Sequence, residues 1–327
     1  MITIALDAMG GDHAPQEVIE GAAKALGAYH GLQLMLVGQG EVLRKELKKH
    51  KGDRSRVSIC EANEVVTMED MPTSVVRQKK DSSIAVGMNL LKSGQVSAFI
   101  SAGNTGAIMT AALLILGSQE GIDRPALGIA LNALSGPVLF LDVGANADCK
   151  PSMLLQFAQM GNTYVKRAFG TENPRIGLLS NGEEENKGNK LVREAHQLLK
   201  ASELKFVGNV ESRDIPKAVA DVVVTDGFTG NVVVKAAEGL GELFINLSKV
   251  RLTAHHHHKS ISLLLKPALK AAEGRLLDYS GHGVALLLGV NGNVIVAHGR
   301  SKAAEIERAI AVAKQVVEQG ALVALGS

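Results

Sequence analysis

Residues 221–239, DVVVTDGFTGNVVVKAAEG, constrain the fold of this chain more than any other stretch. Val222, Val223, Val224 and Thr225 form an unbroken β-branched run, the composition of a buried strand. Asp226-Gly227-Phe228-Thr229-Gly230-Asn231 ends that run. Val232, Val233, Ala236, Ala237 and Leu240 then recur at helical spacing. A glycine loop between a strand and a helix aims unpaired backbone N–H groups out of the helix start, where the dipole favours an anion by ~0.3–1 kcal/mol per charge. Glycine lets the backbone approach that anion closely, and Thr229 and Asn231 add a hydroxyl and an amide. A tight strand–helix turn with a capping Thr accounts for the same residues, so the loop alone leaves both readings open.

The unit recurs along the 327 residues. Residues 2–6 read as a strand and 7–15, DAMGGDHAP, as the loop after it. Pro15 suits a helix start, and Val18, Ile19, Ala22, Ala25 and Leu26 give that helix a buried face. Asp12 and His13 read either as ligand contacts or as a cap and a turn residue. After a strand over 32–37, Gly38-Gln39-Gly40 matches part of a dinucleotide fingerprint, but Leu43 stands where the third glycine belongs, so a tight turn is the better reading. Residues 56–60 are a short strand, and 61–82 a long polar connection whose Arg77, Lys79 and Lys80 read as a solvated face or as a contact for an acidic partner. A helix over 84–91 and a strand over 96–100 lead to SAGNTG at 101–106. That loop shares Gly-x-Thr-Gly with residues 227–230 and precedes a small-residue helix over 107–116.

Strands over 127–131 and 138–141 pair as a hairpin, and Asp142-Val143-Gly144-Ala145-Asn146 ends the second. Cys149, beside Lys150 and a helix opened by Pro151, is either a half-buried thiol or an activated nucleophile. The strand 176–179 leads into SNGEEENKGN at 180–189. Its three successive glutamates face different ways on a helix, so no metal is assigned. The ammonium of Lys187 either pairs with a phosphate or balances the acidic loop. After a strand over 206–210, the last pair, 284–288 and 294–297, reads as a second hairpin. His298-Gly299-Arg300-Ser301 then leads into a closing helix, with Ser301 as a cap.

Composition excludes several classes. Hydrophobic content is 46%, so a sizeable core is expected and disorder is not. A net charge of +2 and 3% aromatics argue against nucleic acid as a partner. Two cysteines are too few for a disulfide framework. The N-terminus reads as a strand rather than a signal peptide, and no apolar run approaches the ~20 residues of a spanning helix. A cytoplasmic protein is therefore expected. Residues 241–275 differ from the rest: apolar positions alternate with Lys249, Arg251, Lys259, Lys266, Lys270 and Arg275. This helical arm suits an anionic membrane, an acidic protein or a dimerisation hairpin. No metal is assigned to His255, His256, His257 and His258.

The expected fold is a three-layer α/β/α unit, with a mostly parallel sheet, two antiparallel hairpins and helices on both faces. The whole chain, 1–327, is expected to form one catalytic unit, with 241–275 protruding. Right-handed crossovers place loops that follow parallel strands on one rim. The segments 7–15, 101–106, 142–146, 180–189, 226–231 and 298–301 all follow strands, and on this reasoning they gather around one phosphate-binding crevice.

Together ALDAMGGDHAP, ISAGNTGA, LDVGAN, SNGEEENKGN, VTDGFTGNVVVKAAEG and the late AHG resemble the PlsX family of bacterial phosphate acyltransferases over nearly the whole chain. The resemblance implies an isocitrate/isopropylmalate dehydrogenase-like fold and a homodimer. It implies that acyl-[acyl-carrier-protein] and inorganic phosphate give acyl phosphate and free carrier protein. It further implies peripheral membrane association and delivery of the product to a membrane glycerol-3-phosphate acyltransferase. A thioester is already activated, so no metal or other cofactor is required, and catalysis is mainly positioning. Lys187 would neutralise the incoming phosphate, and Asn231 would donate a hydrogen bond to it or to the developing oxyanion. Gly103, Asn104, Thr105, Gly106, Asn181, Asp226, Gly227, Thr229, Gly230 and His298 complete the expected substrate contacts, with Asp142 and Asn146 ordering the crevice. Lys259, Leu263, Leu264, Lys266 and Lys270 are the expected membrane or carrier-protein contacts. A phosphotransacetylase-like enzyme using acyl-CoA, and a non-catalytic acyl or phosphate regulator, are the alternatives.

Overall fold

Runs of β-branched and aliphatic residues separated by amphipathic helices bury both faces of a central sheet. A computed structural model describes residues 1–50, 54–253 and 284–322. The strands are β1 (Ile2–Asp7), β2 (Leu32–Gly38), β3 (Val57–Glu61), β4 (Ala98–Ser101), β5 (Ala126–Ala133), β6 (Gly136–Leu141), β7 (Arg175–Leu179), β8 (Lys205–Val210), β9 (Val222–Val224), β10 (Val284–Leu288) and β11 (Val294–Ala297). They form one sheet in the order β3-β2-β1-β4-β11-β10-β5-β6-β9-β7-β8.

Side chains alternate between two cores, as a period of two requires. Ile4 and Leu6 face one core and Ala5 the other; Leu139 and Leu141 face the first, Val138 and Phe140 the second. The first core is covered by α1 (Gln16–Ala28), α6 (Pro151–Phe169), α7 (Lys190–Lys200) and α9 (Ala303–Gln319). The second is covered by α4 (Ser83–Lys92) and α5 (Thr105–Ala111), which continues as a π turn over Ala112–Leu116. Val233 and Val234, early in α8 (Gly227–Thr253), also pack against this second core. Two smaller helices, α2 (Gly40–Leu47) and α3 (Pro72–Arg77), accompany the β2–β4 side. The architecture is the expected three-layer α/β/α sandwich. Each fully buried Phe or Leu contributes about 1.5–3 kcal/mol through the water it leaves, and Phe99, Phe140 and Phe157 are among the largest such side chains.

Strand directions correct the expectation of a single rim. β3, β2, β1, β4 and β11 run parallel to one another, as do β6, β9, β7 and β8. Between the two sets, β11–β10, β10–β5 and β5–β6 are all antiparallel. Three reversals leave the two sets pointing in opposite directions. The loops 7–15, 101–106 and 298–301 therefore leave one edge of the sheet, and 142–146, 180–189 and 226–231 leave the opposite one. Both hairpins are legible in the sequence, but the strand polarity they set is a property of the assembled sheet. The dinucleotide-like glycine pair is a tight turn: Gly40 opens α2, and Leu43 is fully buried.

Candidate active site

The first set of loops is organised by a buried carboxylate at the end of β1. Asp7 Oδ2 accepts a hydrogen bond from Ser101 Oγ at 2.6 Å, and Oδ1 accepts from the Met9 N–H at 3.1 Å. Ser101 Oγ in turn accepts from the Gly103 N–H at 3.0 Å. Burial pushes the Asp7 carboxyl up, and bonds from Ser101, Ser83 and the Met9 and Gly10 backbone oppose that rise. Asn104 caps α5 by accepting from the Ala107 N–H, while its amide donates to the carbonyls of Thr67, Met68 and Asp70. Its side chain thus ties the 67–70 turn to the 101–106 loop. Asp12 N–H donates to the Gly299 carbonyl at 2.8 Å, which brings the third loop of this set against the first.

At the opposite edge a second buried carboxylate has the same task. Asp142 accepts from the backbone N–H groups of Leu127, Gly144, Ala145 and Asn146 and from the Asn146 amide, at 2.7–3.1 Å. Burial raises its pKa, and those donors pull it back. Asn146 also donates to the Pro125 carbonyl at 2.8 Å, and its own carbonyl receives the Gly227 N–H at 2.7 Å. Asp142 and Asn146 therefore hold the 142–146 turn against the start of α8. Gly230 sits directly on that turn: a Cβ there would lie 1.9 Å from the Asp142 carbonyl oxygen.

The start of α8 is largely satisfied from within. Asp226 accepts from the Thr229 N–H at 2.8 Å and from Thr229 Oγ1 at 2.7 Å, capping the helix. The hydroxyl and three backbone donors, those of Gly227, Thr229 and Gly230, are thereby engaged. Asn231 is exposed one step further on. In the 180–189 loop, Asn181 Oδ1 accepts from the Gly188 N–H at 2.9 Å, which closes the turn that presents Lys187. Lys187 itself is exposed.

Cys149 is a thiol, not a thiolate. Burial, with Asp142, Asp226 and Asp148 nearby, pushes its pKa up to about 12, and Sγ lies 3.5 Å from the Asn146 carbonyl. The half-buried reading of this residue is the one the structure supports. The glutamates of the polar loop diverge: Glu185 pairs with Lys200 at 2.8 Å, whereas Glu183 lies with Glu211 and Asp214. Arg213 and Lys217 already pair with the last two.

Among the described residues, a contact between Lys235 and His298 joins the two edges. The helix α8 leaves the second edge and runs back over the sheet, where Lys235 Nζ comes within 3.3 Å of His298 Nε2 at the end of β11. Lys235 follows Asn231 by four residues, so both lie on one face of α8. The spacing is visible in VTDGFTGNVVVKAAEG, but the contact of Lys235 with a residue of the other loop set is a tertiary feature. The expected contacts Lys259, Leu263, Leu264, Lys266 and Lys270, and the four histidines, lie outside the described residues. The helix α8 runs unbroken through position 241, where a separate arm was expected to begin.

The fold is similar to that of solved structures of a phosphotransacetylase and an isocitrate dehydrogenase. The phosphotransacetylase of Streptococcus pyogenes superposes with a TM-score of 0.62 at 20% identity, covering 98% of this chain and 93% of that one. The isocitrate dehydrogenase of Methylococcus capsulatus superposes with 0.51 at 12% identity, covering 98% and 88%. At these identities the likeness concerns fold alone. Sequence narrows it further. The chain belongs to the family described as fatty acid synthesis protein, whose model matches residues 2–324. It is 48% identical over 323 residues to the phosphate acyltransferase of Heliobacterium modesticaldum, covering 98% of this chain and 96% of the relative. It is 46% identical over 319 residues to that of Thermoanaerobacter pseudethanolicus, covering 98% and 95%. The resemblance read from the motifs is thus the family to which the chain belongs.

Proposed function

We propose that this protein transfers an acyl group from acyl-[acyl-carrier-protein] to inorganic phosphate. An oxygen of hydrogen phosphate attacks the thioester carbonyl carbon, the C–S bond breaks, and the leaving thiolate takes up the proton that the phosphate gives up, leaving as free carrier protein. The products are acyl phosphate and a thiol, with no change of oxidation state. The observation that carries this reading is Asn231, an exposed amide on the face of α8 that also bears Lys235, opposite His298. Phosphate and a tetrahedral oxyanion both need donors, and this junction supplies an amide, an ammonium and an imidazole. Lys187, on the turn closed by Asn181, neutralises the incoming phosphate. Asp226, Gly227, Thr229 and Gly230 shape the loop that opens α8, and Gly103, Thr105 and Gly106 shape the loop on the other edge, on the side of His298. Asp142, Asn146 and Asn104 are positioning residues whose side chains are committed to backbone partners and, for Asp142 and Asn146, to each other.

The exposed side of α8 supports the homodimer and membrane contacts implied by the family. Phe228, Val232, Leu240, Leu243 and Leu247 are each more than half exposed and follow helical spacing. An apolar stripe of this length needs a partner surface, and a second copy of the chain is the occupant we propose. No helix among the described residues is long and apolar enough to cross a membrane, so any association of this part with a bilayer, and any delivery of product to a membrane glycerol-3-phosphate acyltransferase, would be peripheral. Incubation with palmitoyl-[acyl-carrier-protein] and labelled phosphate tests the reaction: acyl phosphate should appear with free carrier protein in equal amount. A parallel incubation with palmitoyl-CoA separates carrier-protein from coenzyme A dependence. Labelled phosphate that binds without turnover would instead identify a regulator.

A further inference from the structure

The environment of His298 contains a conflict that the protein alone does not resolve. The Arg300 N–H donates to His298 Nδ1 at 3.2 Å. A neutral imidazole carries one hydrogen, and a ring nitrogen that accepts a hydrogen bond does not carry it. Nε2 is therefore the N–H of this ring. Facing it at 3.3 Å is Lys235 Nζ, an ammonium with donors and no acceptor. In this tautomer both atoms are donors, 3.3 Å apart. A proton added to the ring sharpens the conflict, since both nitrogens are then donors. Glu238 does not relieve it: its Oε2 accepts from Lys235 Nζ at 2.7 Å, which occupies one of the three ammonium hydrogens. An oxygen that accepts from Nζ and Nε2 together removes the conflict, and a phosphate oxygen is such an acceptor.

We propose that Lys235 and His298 form a clamp for a phosphate group that joins the two edges of the sheet. Lys235 comes from the helix after β9 and His298 from the end of β11, so a bound phosphate touches both loop sets at once. Asn231 lies one turn before Lys235 on the same helix face, which puts the clamp beside the proposed reacting centre. Two groups in this reaction share the required chemistry: the inorganic phosphate cosubstrate, and the phosphodiester that tethers the donor's thiol arm to the carrier protein. The identity of either ligand rests on the acyl-transfer reading above; the clamp itself rests on the two adjacent donors.

Calorimetric titration of the full-length protein with inorganic phosphate, and separately with 4′-phosphopantetheine, tests this. Lys235 and His298 are exposed, so Lys235→Ala and His298→Ala should keep the wild-type melting temperature. Each should weaken one probe about ten- to a hundredfold, the scale of a charge-assisted hydrogen bond. His298→Gln, which keeps an N–H near the Nε2 position, should recover most of the loss, whereas a purely structural role for the ring would show no such rescue. Loss confined to phosphate assigns the clamp to the cosubstrate, and loss confined to 4′-phosphopantetheine assigns it to the donor. If both variants bind both probes as the wild type does, or the wild type binds neither, the clamp is overturned. Failure of the wild type to make acyl phosphate would reject the acyl-transfer reading, while the titrations would still decide the clamp.

Discussion

Asn231 is exposed and free to donate into the junction, whereas Asp142 and Asn104 spend their polar atoms on backbone groups. Asn231→Ala should therefore lower kcat by about 10²–10³, the cost of removing one oxyanion donor, with an unchanged melting temperature. A steady-state assay beside a thermal melt checks both halves of that statement. Cys149 gives the opposite expectation. With its pKa raised to about 12 the thiol is protonated at neutral pH, so Cys149→Ser should retain turnover. Loss of acyl phosphate formation in that variant, with the fold intact, would restore the nucleophile. Sequence left Cys149 open because a thiol beside Lys150 and a helix start reads as activated; its burial and the nearness of Asp142 and Asp226 come from tertiary packing.

Elements are held together where strands begin and end. Gly230 packs against the Asp142 carbonyl with no room for a side chain, because the 142–146 turn and the start of α8 share one corner. Gly230→Ala must push these segments apart, at a cost at or above the ~1–3 kcal/mol typical of overpacking, and chemical denaturation should show it. At the other ends of these strands, Arg175 at the start of β7 meets Asp221 just before β9. The Asp221 carboxylate accepts from the Arg175 N–H, Nε and a terminal guanidinium nitrogen at 2.7–3.1 Å. Burial works to raise the Asp221 pKa, but Arg175 outweighs it and holds the carboxyl below its usual range. A depressed carboxylate stabilises the fold above its unfolded pKa of ~3.9, and that contribution is lost as pH falls through the lower folded value. Asp221→Asn should thus cost about 1 kcal/mol at pH 7, discounted for the partly exposed partner. The deficit should shrink as the melt is repeated towards pH 3; a deficit independent of pH would mean that charge is not its cause.

For the whole molecule, the strands, the two hairpins and the layer arrangement were legible because periods of two and 3.6 are local properties of the chain. The 142–146 and 226–231 loops were legible as a pair for the same reason: each is a glycine turn at a strand end. Polarity was not. Whether six loops share one rim depends on the number of reversals between β11 and β6, a property of the assembled sheet. That is why Lys235, the side chain that spans the two edges, carried no expectation although it stands four residues after Asn231. Asp7 was passed over too, since nothing local distinguishes a carboxylate buried under Ser101 from one in a solvated turn. The homodimer proposed through α8 belongs to this scale as well. Leu243→Glu with Leu247→Glu should lower the mass of the protein in light scattering, and an unchanged mass would contradict a dimer through α8.

The central claim is that phosphate attacks an acyl thioester at the junction where α8 meets the end of β11. Single-turnover incubation of palmitoyl-[acyl-carrier-protein] with labelled phosphate, comparing the wild type with Asn231→Ala, addresses it directly. The account predicts labelled acyl phosphate from the wild type and a rate about 10²–10³ lower from the variant; equal rates from the two proteins would contradict it.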